Sequence, residues 1–230
     1  MAKGEFRIQK SILAGPEKKA LTWIASHLPR WINPDSLTTI GFIGSLLAGA
    51  GYFLTNYGKG FLWLSSLGFI INWFGDSLDG TLARVRKIER PIYGFYIDHN
   101  MDALTALVIC IGAGLSPFVS FSAVMLILAG YYLLSIFTYI NVYLNEKFVI
   151  SYYGFGPTEL RLAIIILNGV FFFLSNDINR SITLLGIKMK YFDIFVVGVF
   201  LILMALYLYS FLAEKKNFEK ADPIKNSTQN

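Results

Sequence analysis

The chain has 230 residues, of which 55% are hydrophobic and 15% charged, with a formal net charge of +5. Soluble domains run at roughly 45–50% apolar and about 25% charged, so this balance excludes an ordinary water-soluble globule. The positive charge does not indicate nucleic acid, because the basic residues flank apolar runs instead of forming a basic module; the expected partner is membrane lipid, with no nucleic acid.

Residues 1–35 are expected to form a cytoplasmic N-terminal segment. Its start carries Lys3, Arg7 and Lys10 without the apolar core and cleavage site of a secretory signal. Over residues 16–31, Ala20, Leu21, Ile24, Ala25 and Leu28 recur at helical spacing beside Lys18, Lys19 and Arg30, which predicts an amphipathic helix lying in the membrane interface. Six apolar windows follow at about residues 36–54, 61–85, 94–114, 118–144, 157–174 and 191–212, each near the roughly 20 residues a membrane-spanning helix needs. Residues 36–212 are therefore read as one six-helix membrane domain, and residues 213–230 as a polar cytoplasmic tail, disordered from Asn217 onward. The lone Cys110 lies in an apolar run and reads as a small core hydrophobe.

With the N-terminus inside, all of the 20 Lys and Arg except Lys59, Arg180, Lys188 and Lys190 fall on the cytoplasmic side, as the positive-inside rule requires. The fold class expected is an all-α, multi-pass integral membrane protein with six transmembrane helices, an N-terminal interfacial helix and both termini cytoplasmic. In a prokaryote that means the plasma or inner membrane.

Acidic residues inside apolar spans are costly and mark function by default. Asp76 and Asp79 stand near the end of the second span, Asp98 and Asp102 near the start of the third. Spacings of three and four put each pair on one helical face. The short connection from Arg86 to Tyr93 predicts that the two helices are antiparallel neighbours, so that all four carboxylates converge just inside the cytoplasmic boundary. Four negative charges in a low-dielectric site repel, so either some are protonated or cations neutralise them. Oxygen ligands without His or Cys clusters favour magnesium, manganese or calcium over zinc.

Gly80 follows Asp79 inside a helix, where glycine costs about 1 kcal/mol relative to alanine, so something is expected to approach the backbone there. Ala83 is small on the same face, Arg84 supplies a permanent cation one turn on, and Gly94 precedes Asp98 by one turn. Two metals, an arginine and a small-residue floor suit a pyrophosphate with a planar base beside it. The competing reading is that Arg84 and Arg86 merely answer Asp76 and Asp79 across helices, with the small residues serving packing. Packing alone, however, does not ask for this ordered spacing.

The run Asp76-Ser77-Leu78-Asp79-Gly80-Thr81-Leu82-Ala83-Arg84, followed after nine residues by Gly94-Phe95-Tyr96-Ile97-Asp98-His99-Asn100-Met101-Asp102, resembles the complete signature of the CDP-alcohol phosphotransferase (CDP-alcohol phosphatidyltransferase) family. The resemblance implies a metal-dependent, phospholipid-synthesising transferase. It would move a substituted phosphoryl group from a CDP-linked donor, either CDP-diacylglycerol or a CDP-alcohol, to an alcohol hydroxyl on a soluble or lipid acceptor, releasing CMP. It further implies that Asp76, Asp79 and Asp98 bind two divalent cations, Mg2+ or Mn2+, while Asp102 completes the metal site and serves as the catalytic base. Gly80, Ala83, Arg84 and Gly94 would form the donor site, and the enzyme would be a homodimer with its active site facing the cytoplasm. The alternatives are a divalent-cation transporter, whose sites usually lie near the midplane instead of beside a basic loop, and a non-enzymatic membrane scaffold.

Three stretches carry weaker resemblance. Residues 31–41, with Trp31, Pro34, Thr38 and Gly41, are similar to the start of the first span in many family members, although Pro34 also has a plain role in starting a helix. Asp98-His99-Asn100-Met101-Asp102 and Gly156-Pro157-Thr158-Glu159 resemble the choline and ethanolamine phosphotransferases. His99 is then a second base or acceptor-binding group, or else a partner for a neighbouring carboxylate. Glu159 and Arg161 open the fifth span on the side of the aspartates. By resemblance Arg161 would hold a phosphate on the acceptor, mutual pairing or headgroup contact being the other readings.

Overall fold

The first long helix begins where the sequence places its start signals. Asn33 Oδ1 accepts a hydrogen bond from Ser36 N at 2.8 Å, and Pro34 occupies the first helical position, where a missing N–H leaves no bond unmade. In the computed structural model, which describes residues 6–8, 13–145, 147–149, 156–174, 181–184 and 187–223, this helix is α2 (Pro34–Leu54). It is preceded by α1 (Ala14–His27) and followed by α3 (Phe61–Arg86), α4 (Pro91–Gly114), α5 (Phe121–Asn145), α6 (Pro157–Leu174) and α7 (Tyr191–Ala221).

The fold is helical, and its long helices stand where the apolar windows lie. By length and composition Pro34–Leu54, Phe121–Leu144 and Phe192–Ala221 are long and apolar enough to cross a membrane. The remaining long helices carry Asp76, Asp79, Asp98, Asp102, Glu159 and Arg161, and those charges lower their mean hydropathy.

Two short strand pairs depart from the purely helical expectation. Strand β1 (Phe6–Ile8) pairs in parallel with β2 (Lys147–Val149), and β3 (Ser181–Leu184) pairs antiparallel with β4 (Ile187–Lys190). Helix α7 also continues to Ala221, so the first residues of the tail expected to be disordered are helical. Lys215 and Glu219, one turn apart with Nζ and Oε1 at 3.6 Å, support that polar extension. Residues 224–230, with Lys3, Lys10 and Arg180, lie outside the described residues.

Successive lateral contacts run α6–α3–α2–α4–α5–α7, with α1 against α3. Helix α2 therefore lies between α3 and α4 and takes the bulk of the contacts of both, which corrects the expectation that α3 and α4 pack as direct neighbours. Small residues explain it. Gly41, Gly44, Ala48 and Gly51 line one face of α2 and meet Gly75, Asn72, Gly68 and Ser65 of α3. A Cβ added at Gly44, Gly51, Gly68 or Gly75 would fall well under 3.0 Å from facing backbone, and one at Gly112 of α4 would collide with Gly49. Such stripes let membrane helices approach backbone to backbone.

Helix α1 buries Leu21 and Ala25 against Leu37, Leu78 and Leu82, while Trp23 on its other face is 65% exposed. Arg86 fixes the end of α1 by donating to the carbonyls of Leu28 at 3.0 Å, Pro29 at 2.9 Å and Ile32. A second cluster, Val119, Ala123, Val124 and Val196, joins α5 to α7 at the opposite end of α4. There Asp193 accepts from Ser120 N at 2.7 Å, and Lys190 Nζ donates to Pro117 O at 2.7 Å.

Candidate functional site

Helix α2 forms the floor of a cleft whose walls are α3 and α4. One carboxylate oxygen from each of Asp76, Asp98 and Asp102 lies within 4.8 Å of the others. Asp98 and Asp102 occupy successive turns of α4, and Asp76 faces them from α3. A small cavity is lined by these three carboxylates together with Thr38, Gly41 and Asn72. Gly41 is a glycine because α3 passes directly over it: an added Cβ would stand 3.2 Å from Asp76 N.

The fourth carboxylate points elsewhere. Asp79 Oδ2 accepts from Thr38 Oγ1 of α2 at 2.7 Å, and Oδ1 accepts from Gly80 N. Three of the four expected carboxylates thus converge, and Asp79 is held on α2.

The donor set suits a hard divalent cation. It consists of oxygens only, and Asn72 adds a further one: this residue is 3% exposed, its Nδ2 donates to Gly41 O at 3.0 Å, and its Oδ1 is buried with no partner. A buried polar atom without a partner asks for an unseen ion or water.

Beside the carboxylates the backbone is uncovered. The Cβ position at Gly80 meets only the Arg84 guanidinium, nearest at 3.4 Å, and that at Gly94 has nothing within 4 Å. Arg84 is exposed and donates from Nη2 to Thr81 Oγ1 at 3.0 Å. Ala83 is half-buried, and its carbonyl accepts from Ile88 N at 3.0 Å where α3 ends. Gly80, Ala83 and Arg84 thus lie on the last turns of α3, and Gly94 lies in the first turn of α4.

The cation answering Asp76 is not the one anticipated. Arg161 of α6 brings Nη2 to 2.7 Å from Asp76 Oδ2, while Arg86 is engaged with the carbonyls of Leu28, Pro29 and Ile32 just after α1. Glu159 accepts from Gly156 N at 2.9 Å and from Leu13 N at 3.0 Å, fastening the start of α6 to the start of α1. His99 stands between Phe95 and Tyr139, with ring centroids at 4.0 and 4.8 Å. Its Nδ1 is 2.8 Å from Phe95 O; a carbonyl only accepts, so Nδ1 carries the proton. The same nitrogen is 4.0 Å from Asp98 Oδ2.

Asn72 and Glu17 were not singled out by sequence, and Thr38 was named only as part of a resembling stretch, with no role toward the aspartates. Thr38 lies in the 31–41 stretch, and Asn72 stands one turn before Asp76 on the same helix. Glu17 Oε1 accepts from Trp73 Nε1 at 2.9 Å and Thr158 Oγ1 at 2.7 Å, tying α1 to α3 and α6. An apolar groove of about 270 Å3, lined by Ala103, Tyr131, Tyr132, Ser135, Ile136 and Tyr139, opens between α4 and α5 beside Asp102.

Residues 31–213 match the family described as CDP-alcohol phosphatidyltransferase. An archaetidylinositol phosphate synthase from Pyrococcus horikoshii is 33% identical over 105 residues, covering 45% of this chain and 52% of that protein. A cholinephosphotransferase 1 from Danio rerio is 27% identical over 218 residues, covering 84% of this chain and 52% of that protein. The human cholinephosphotransferase 1 is 29% identical over 112 residues, 46% of this chain and 27% of its own. The chain thus spans about half the length of the first two relatives and about a quarter of the human one. The transporter alternative gains no support from any of these matches.

Proposed function

The chain belongs to the CDP-alcohol phosphatidyltransferase family, and from that premise we propose that it is a phospholipid-synthesising transferase. It moves a substituted phosphoryl group from a CDP-linked donor to an alcohol hydroxyl, with release of CMP. The observation that carries this reading is the convergence of Asp76, Asp98 and Asp102 beside the uncovered backbone at Gly80 and Gly94.

In this reading Asp76, Asp98 and Asp102 hold the two divalent cations, Mg2+ or Mn2+, with Asp79 supporting the site from its Thr38 bond. When bound, the cations neutralise the donor's pyrophosphate and make CMP a better leaving group. Arg84, Gly80 and Ala83 receive the cytidine and phosphate portion, Arg84 through charge-assisted hydrogen bonds and the glycine by letting the ligand reach the backbone. The acceptor oxygen bonds to phosphorus, the bond from phosphorus to the bridging pyrophosphate oxygen breaks, and the hydroxyl proton passes to Asp102. The groove beside Asp102 is apolar and suits a lipid chain of whichever substrate carries one.

The six long helices all cross the membrane, and the aspartates face the cytoplasm. The distribution of basic residues supports this, because Arg86, Arg161 and the N-terminal helix share one end of the bundle while Lys190 lies at the other. Family resemblance supports pairing of two copies.

The test is mass spectrometry of lipids made by the full-length protein in liposomes, offered CDP-diacylglycerol, CDP-choline and CDP-ethanolamine with a panel of alcohols and diacylglycerol. A new phospholipid with one CMP released per turnover, abolished by a chelator and restored by Mg2+ or Mn2+, is expected. Metal uptake into vesicles without cytidine nucleotide, and no product from any donor, would return the transporter reading.

A further inference from the structure

Asp76 is asked to do two things. It belongs to the three-carboxylate cluster, and it also forms an ion pair with Arg161, Nη2 to Oδ2 at 2.7 Å. Both side chains are withdrawn from solvent, Arg161 at 14% and Asp76 at 27% exposure. A guanidinium and a dication cannot both take full possession of one carboxylate in a low-dielectric cleft, since each repels the other at close range.

The pair is not needed to hold α6 in place. Glu17 spans α3 and α6 through Trp73 and Thr158, each within one turn of Asp76 and Arg161 respectively. Farther along α6, Asn168 donates to Ser66 Oγ at 3.1 Å and accepts from Tyr52 OH at 3.0 Å. Helix α6 therefore keeps polar ties to α1, α2 and α3 when Arg161 leaves Asp76.

We propose that Arg161 is a built-in counter-cation. It neutralises Asp76 while the site is free of metal and is displaced when a divalent cation binds, so metal affinity is set by competition with the chain's own guanidinium. Without it, Asp76 would lose its counter-charge in a cleft that it shares with two further carboxylates, which burial disfavours. With it, the site is preformed before metal arrives. The released guanidinium remains beside the cleft as a fixed positive charge, so metal loading changes the electrostatic character of the α6 wall from paired to available.

Arg161's role so defined rests on the proposed reading of Asp76 as a cation ligand, and two variants separate the one from the other. Mn2+ binding to the metal-depleted full chain in lipid nanodiscs, followed by electron paramagnetic resonance of the free ion without any nucleotide, gives affinity independent of turnover. Arg161→Gln is expected to bind Mn2+ about tenfold tighter than wild type, the low end of what close charge pairs contribute. Asp76→Asn is expected to bind it weaker. Unchanged binding in Asp76→Asn defeats the ligand reading itself. Weaker binding in Asp76→Asn together with unchanged or weaker binding in Arg161→Gln overturns the counter-cation alone.

Should Arg161→Gln not fold, wild type labelled with 15N-arginine provides the measurement. The side-chain resonance that disappears in Arg161→Lys is expected to shift on Mg2+ addition, and its staying unmoved at saturating Mg2+ overturns the proposal.

Discussion

The α2–α3 seam and the α5–α7 pair are both helix contacts in an apolar chain, yet they are built on opposite rules. Along α2–α3 glycines bring backbones so close that a single added carbon would collide. Along α5–α7 large rings make the contact: Phe137 and Tyr207 meet edge to face at 5.9 Å, and the Cβ position of Gly130 already stands 3.1 Å from Phe200. Burial is graded in the same direction. The protein itself covers 39% of the apolar window of α2, 22% of that of α5 and 6% of that of α7. Close backbone packing leaves little tolerance in the position of side chains at its end, and that is where Asp76 and Asp79 emerge. Ring packing with one face open to lipid defines positions less tightly, and among the described residues α7 contributes none to the aspartate cluster. The comparison teaches that small residues here are instruments of placement for charged groups.

The largest effect expected lies on the small-residue side. Asp102→Asn should lower turnover by about 10²–10⁴-fold, the range for a positioned acid–base group, while binding of a CDP donor, followed by equilibrium dialysis with metal present, largely survives. His99→Ala is the control, since His99 is 4.0 Å from Asp98 and can accept a proton at Nε2. Near-normal turnover in Asp102→Asn with loss in His99→Ala would transfer the base to the histidine.

A smaller effect is expected at Thr38, which lines the cavity and donates its hydroxyl to Asp79. Thr38→Val keeps the shape and removes the hydroxyl, and it should reduce metal affinity and CMP release by about 10–100-fold, as loss of an outer hydrogen bond that orients a metal site does. Thr38→Ser should restore both. If serine rescues nothing, the methyl packing matters and not the bond to Asp79.

The last prediction sets the two seams against each other directly. Gly75→Ala inserts a Cβ into the backbone of α2 and should cost about 1–3 kcal/mol, the range for overpacking, seen as a lower thermal midpoint in detergent. Gly198→Ala on α7, where nothing lies within 4 Å, should be neutral or stabilise by up to about 1 kcal/mol through helix propensity. Equal behaviour of the two variants would erase the distinction between the seams.

Several of these features were readable one residue at a time. The apolar windows predicted the long helices to within a few residues, apart from the polar extension of α7, because hydrophobicity and length are local properties, and Pro34 marked the start of α2 because its fixed φ is local too. The aspartates and the glycines at 80 and 94 were legible for the same reason, since helical periodicity alone puts Asp76 and Asp79, or Asp98 and Asp102, on one face. The strand pair β1–β2 was not legible, because its partners stand 141 positions apart, Phe6 with Lys147, and no local pattern encodes such a pairing.

What the sequence by itself determined is which residues are charged inside apolar helices and at what spacing, and this was enough to name a family and a chemistry. Only the tertiary structure decided that α3 and α4 are each seated on α2 and meet through their carboxylates instead of along their backbones. It also decided that Asp79 bonds to Thr38 and that Arg161 from a distant helix, not Arg84 or Arg86, answers Asp76. The reason is physical: periodicity sets the face of a helix a residue occupies, but which helix that face meets depends on how closely backbones can approach, and that depends on both partners at once.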